Sequence, residues 1–139
     1  MIARLVLPDA LRTQFAAEAR AAFPRECCGL IEGVREGDAA RALKLHPARN
    51  LASEPDRFEI DPAAQFALLR ALRGTERAVI GCYHSHPNGK AEPSPRDREG
   101  AGEEGFVWLI VALAAADASP SLAAFAGSDF RALSLRPLA

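Results

Sequence analysis

Apolar and polar positions along the chain change period several times, and each change marks an element. Arg4 to Leu7 read as a short strand. Pro8-Asp9 then opens an alanine-rich stretch to Phe23 in which Leu11, Phe15, Ala19 and Ala22 recur at helical spacing, so an amphipathic helix is expected there, stopped by Pro24. Cys27 to Val34 follow as a strand, ending at the turn-like Arg35-Glu36-Gly37-Asp38. A second strand from about Ala40 to His46 would pair back as a hairpin. Arg57 to Ile60 alternate polar and apolar. Asp61-Pro62 then has the form of an N-cap with proline at the first helical position, and a second helix runs to about Arg73.

Ala78 to His84 form the most apolar run to that point, the pattern of a central strand, and it leads straight into His84-Ser85-His86-Pro87. A loop to Pro93 comes next. Ser94-Pro95-Arg96-Asp97 again has N-cap and N1-proline form, so a short helix should start there and fade between Gly100 and Gly105. Phe106 to Leu113, Leu122 to Ala126 and Arg131 to Leu135 read as three further strands, the last closing the sheet. With no repeat, no low-complexity tract and no linker, residues 1–139 are expected to form one α/β (α+β) domain, a central mixed sheet flanked by helices.

Composition narrows the function classes. Hydrophobic residues make up 49% and charged residues 25% of the 139, an ordinary globular balance. Seventeen Lys and Arg against 18 Asp and Glu are scattered without a run or stripe, so nucleic acid is not expected as a partner. No stretch approaches the ~20 apolar residues a spanning helix requires, and the N-terminus has no signal-peptide pattern, which places the protein in the cytoplasm and off the membrane. Cys27, Cys28 and Cys82 are an odd set in a chain with no export signal, and reduced, mostly buried thiols are expected.

A hydrolytic zinc site needs three ligands from His, Asp, Glu or Cys and an open position for water. His84 and His86 stand two apart at a strand end, so period-two alternation turns both imidazoles to one face, where they can share an ion. Asp97 follows a loop containing Gly89 and two prolines, and the chain can fold back to bring its carboxylate to the metal as third ligand. Glu26, between the helix-ending Pro24 and an apolar strand, is the candidate base, and Ser94 a candidate donor to an oxyanion. Ser94-x-x-Asp97 is also a capping box, and both roles can coexist at a helix start.

Glu26, His84-Ser85-His86-Pro87 and Ser94-Pro95-Arg96-Asp97 together resemble the motif of the JAMM (Mov34/MPN/PAD-1) metallopeptidases, a Glu paired with H-S/T-H-P and S-x-x-D. The ten residues between His86 and Asp97 match that family's spacing. The resemblance implies a JAMM/MPN-like (cytidine-deaminase-like) fold. It implies one zinc held by His84, His86 and Asp97 with water as fourth ligand, Glu26 activating the water, and Ser94 stabilising the tetrahedral intermediate. The short length is similar to bacterial members, some of which act on the C-terminal tails of ubiquitin-like sulfur-carrier proteins, so such a tail is the expected partner. Exposed strand edges would allow a homodimer.

Other residues carry competing readings. Cys82 lies on the strand face of His84 and offers a Cys-His-His set, against simple burial. Cys27 and Cys28 point to opposite faces and cannot serve one ion. His46 reads as a surface or loop histidine. Asn50 and Ser53 line a substrate groove or build a turn. Trp108 reads as core. A non-catalytic scaffold of the same family would lack the ligands, all of which are present here. A nucleoside deaminase would need H-x-E and P-C-x-x-C, and neither occurs.

Overall fold

The apolar run from Ala78 becomes the strand around which the rest is arranged. The computed structural model describes residues 1–100 and 105–137. Their elements are β1 (Arg4–Val6), α1 (Asp9–Ala22), β2 (Cys28–Glu36), β3 (Ala39–Ala48), α2 (Pro62–Leu72), β4 (Ala78–His86), α3 (Pro95–Glu99), β5 (Val107–Ala112), β6 (Ser121–Ala126) and β7 (Arg131–Arg136). Asp61 caps α2 by accepting from the Ala63 N–H, with Pro62 at the first helical position. The β2–β3 hairpin turns on Gly37 at φ 61°, a backbone state that costs a residue without Cβ little.

The strands run in the order β1-β3-β2-β4-β5-β6-β7 and close into a barrel, because β1 pairs in parallel with both β3 and β7. The β4–β5 pair is also parallel and the remaining pairs are antiparallel, so the sheet is mixed. Closure leaves no end strand in the sheet. Beyond Arg41, β3 keeps β2 on one side only, which lets it hold Pro47, a residue without a ladder donor.

Two apolar clusters sandwich β4. Tyr83 belongs to the larger, with Ile31, Leu109, Val111 and the α1 residues Phe15 and Ala19. Phe15 and Tyr83 meet edge to face at 4.8 Å. Burying rings of this size stabilises the fold by roughly 2 kcal/mol or more each. Cys82 belongs to the smaller cluster, with Leu30, Leu68 of α2, Trp108 and Phe130, and with Phe58 and Ile60 packed against it.

Several boundaries differ from the sequence reading. β4 continues through His86, because β5 pairs with it as far as His86–Ala112. The alternation over 57–60 forms no strand beyond an isolated bridge between Asn50 and Ile60; its apolar members Phe58 and Ile60 are packing residues. His46 is no loop histidine: it lies in β3, half-buried, with its Nε2 2.8 Å from the buried Glu32 carboxylate. The expected fading of α3 falls partly on 101–104, outside the described residues. Among the described residues, no helix is long and apolar enough to cross a membrane.

Candidate metal centre

β4 delivers the two histidines as alternation requires. Their Nε2 atoms lie 2.9 Å apart, His84 is fully buried and His86 is 5% exposed. His86 Nδ1 lies 3.0 Å from the Lys90 carbonyl. A carbonyl only accepts, so Nδ1 carries a proton and Nε2 is the ring atom that faces the centre. His84 Nδ1 is buried with no hydrogen-bond partner among the described residues. Packing holds this ring instead: Phe58 stacks on it at 4.1 Å, and Trp108 meets it edge-on at 5.9 Å.

Asp97 arrives on α3. The Asp97 N–H donates to Ser94 Oγ (3.0 Å) and the Ser94 N–H donates to Asp97 Oδ2 (2.9 Å), a complete capping box. The box aims the same Oδ2 at both histidines, 3.2 Å from His84 Nε2 and 3.1 Å from His86 Nε2. Ser94 Oγ accepts in the cap, so its hydroxyl hydrogen is free for another acceptor.

Glu26 precedes β2 in the chain and is 6% exposed. Its segment is pinned to β4 between the two histidines: the Ser85 N–H donates to the Cys27 carbonyl (3.0 Å) and the Cys27 N–H to Ser85 Oγ (2.8 Å). One carboxylate oxygen of Glu26 and one nitrogen from each histidine lie within 4.8 Å of one another. Sequence reasoning gave Ser85 no role, although its place between the histidines on the opposite strand face was a signal for one.

The electrostatics separate the two carboxylates. Burial raises the Glu26 carboxyl from 4.5 to about 7, partly offset by His86 and reinforced by Asp97 and Asp56. Burial acts on Asp97 in the same sense, but hydrogen bonds from His84 and His86 outweigh it and hold this carboxyl well below the usual range. Burial lowers His84. For His86 the opposing effect of burial is outweighed by Asp97 and the Lys90 carbonyl, and its pKa is raised. Two imidazole nitrogens and an ionised oxygen facing one another at 2.9–3.2 Å are stable only with positive charge among them. Tetrahedral zinc with ligands near 2.0–2.1 Å sets its donors about 3.3 Å apart, so the triad fits zinc with shifts of a few tenths of an ångström.

Two cavities open on this cluster, of about 320 and 290 Å³, and Glu26, Asp56 and Ser94 line both. Phe58 and Trp108 extend the first; His86 and Lys90 extend the second. Cys82 is fully packed and outside the donor group, and burial raises its thiol. Cys28 is buried and Cys27 half-buried, with thiols pushed up to about 12 and about 11. Trp108 is core, as expected, and also borders a cavity. Asn50 and Ser53 line neither cavity.

A buried two-histidine, two-carboxylate cluster open to a groove is the donor set of a metal-dependent hydrolase. The family model for prokaryotic homologs of the JAB domain matches residues 8–125, and the chain belongs to that family. It is 35% identical over 113 residues to a desampylase of Haloferax volcanii, spanning 81% of this chain and 78% of that protein. To a probable TtuB-protein conjugate cleaving protease of Thermus thermophilus it is 35% identical over 94 residues, 67% of this chain and 60% of the relative. A Desulfitobacterium hafniense protein solved in solution superposes with a TM-score of 0.84 at 29% identity, covering 96% of this chain and 92% of that one. The resemblance read from three motif elements and the JAMM/MPN-like architecture thus hold.

Proposed function

We propose that the chain is a zinc metallopeptidase that hydrolyses a peptide or isopeptide bond at the C-terminal tail of a ubiquitin-like sulfur-carrier protein. The observation that carries this is the convergence of His84 Nε2, His86 Nε2 and Asp97 Oδ2 within 3.2 Å beside a buried Glu26. His84, His86 and Asp97 would hold one zinc per chain, through His84 Nε2, His86 Nε2 and Asp97 Oδ2. Glu26 shares the donor group, yet in the metal-free protein burial raises its carboxyl, which suits a proton carrier, while the strongly acidic Asp97 suits a ligand. Bound zinc supplies a Lewis acid and acidifies water.

The protein's own residues do the rest. Glu26 takes the proton of the attacking water and returns it to the leaving nitrogen, and its burial favours the protonated form that this return requires. Ser94 donates its free hydroxyl hydrogen to the oxygen that gains charge on the carbonyl. The two cavities meeting at Glu26 and Ser94 give an extended tail an approach on either side of the scissile bond. The names of the two relatives, a desampylase and a conjugate-cleaving protease, support a protein conjugate as substrate. The reading takes residues 1–139 as one peptidase domain working in the cytoplasm.

The test is cleavage of a ubiquitin-like carrier joined through its C-terminal glycine to a reporter protein. Zinc-loaded protein should release the reporter, and Glu26→Gln should lose at least ~10²-fold in kcat while keeping its zinc. Full activity in Glu26→Gln would overturn the assignment of the base.

A further inference from the structure

The segment between β3 and α2 carries Asp56, Arg57 and Phe58 to the cavity beside Glu26, and the Asn50 side chain ties it to Glu26. Asn50 Nδ2 donates to the Glu26 carbonyl (3.0 Å) and to the Arg57 carbonyl (3.0 Å). Its Oδ1 accepts from the Ala52 N–H (2.9 Å) and the Glu59 N–H (2.9 Å). A primary amide has two donor hydrogens and two acceptor lone pairs, so Asn50 uses all its capacity in one place. Three of the bonds fold the loop on itself, as a turn residue would; the fourth leaves the loop for the main chain of Glu26. Around it, Leu51 N–H donates to the Glu59 carbonyl, and Arg25 Nη2 donates to the carbonyls of Ala52 (3.1 Å) and Ser53 (2.9 Å).

The loop therefore touches the chemistry twice. Phe58 stacks on His84, and Asn50 holds the peptide of Glu26, whose other side is held by Ser85 through Cys27. We infer that Asn50 is a positioning residue: it sets the reach of Glu26 and makes the base and the substrate-lining loop one mechanical unit. This rests on the metallopeptidase reading above. Asn50 lines neither cavity, so it acts through Glu26 and not on the substrate.

Asn50→Asp keeps the acceptor oxygen but replaces both donors with an oxygen facing two carbonyls. On the carrier–reporter conjugate, kcat should fall by on the order of tenfold to a hundredfold, with KM within about twofold and zinc content unchanged. A rise in KM with kcat unchanged would overturn the inference, reducing Asn50 to a builder of the substrate loop. A second measurement needs neither activity nor a folded variant: native-state hydrogen exchange on the wild-type protein. The amides of Cys27, Leu51 and Glu59 should share one opening free energy and one denaturant dependence. Separate openings for Cys27 and the loop amides would overturn the unit. Wild-type protein that opens as one unit but cleaves no conjugate would sink the proposed function and leave the coupling standing.

Discussion

Phe58 lies flat against His84, ring centroids 4.1 Å apart and planes 18° apart, on the one ligand candidate whose Nδ1 has no hydrogen-bond partner among the described residues. Metal-binding histidines are usually oriented by an acceptor at the second ring nitrogen, and losing it costs 10- to 100-fold in affinity. Here the stack supplies the orientation. Phe58→Ala should weaken zinc binding by about tenfold in a chelator competition, with His86→Ala as the reference for complete loss. Unchanged affinity would mean that β4 alone orients His84.

A Cβ at Gly29 would overlap the Tyr83 ring and the His46 carbonyl. Tyr83 cannot withdraw, because it is fully buried, packed against Phe15, and its hydroxyl donates to Glu18 Oε1 at 2.8 Å. Gly29→Ala should destabilise the fold by on the order of 3 kcal/mol, read as a lowered midpoint in urea. A midpoint within error of the wild type would contradict the packing of β2 on β4.

How much of this was legible in the sequence depends on where each signal resides. His84 and His86 share a face because alternation is a local rule, and Ser94 and Asp97 meet because a capping box spans three residues. Both were readable. The closing of the barrel was not, since it rests on β1, three residues long, which joins β3 to β7 at the far end of the chain. Asn50 and Phe58 owe their roles to contacts across 24 and 26 positions, which no local pattern encodes. His46 next to Pro47 looked like a loop because proline is rare in strands; the half-open edge of β3 is what admits it.

Burial gives Glu26 a measurable stability signature. In the metal-free protein its carboxyl titrates near 7, against 4.5 when unfolded. The folded state therefore holds a proton between those values that the unfolded state has lost. Stability from this group is complete below about 4.5, drains as pH rises, and is gone above about 7, a difference of up to about 3 kcal/mol. Metal-free Glu26→Gln should melt several degrees above metal-free wild type at pH 8, and the gap should shrink toward pH 5. A gap independent of pH would contradict the raised pKa.

Ser94 has two separable tasks. Ser94→Ala removes a helix cap, a loss of about 1 kcal/mol in stability, and also the proposed oxyanion donor, a loss of about 10² in kcat. Ser94→Asp should recover the cap, since a carboxylate caps well, but not the rate. Recovery of both would leave Ser94 a purely structural residue.

The most direct test of the site is the zinc content of four purified proteins after dialysis against a mild chelator, by elemental mass spectrometry. The ligand assignment predicts about one zinc per chain in the wild type and in Glu26→Gln, and little in His86→Ala and Asp97→Ala. Zinc retained by Asp97→Ala but lost from Glu26→Gln would make Glu26 the third ligand and contradict its role as base. Absence of zinc from the wild type would contradict the metallopeptidase reading itself.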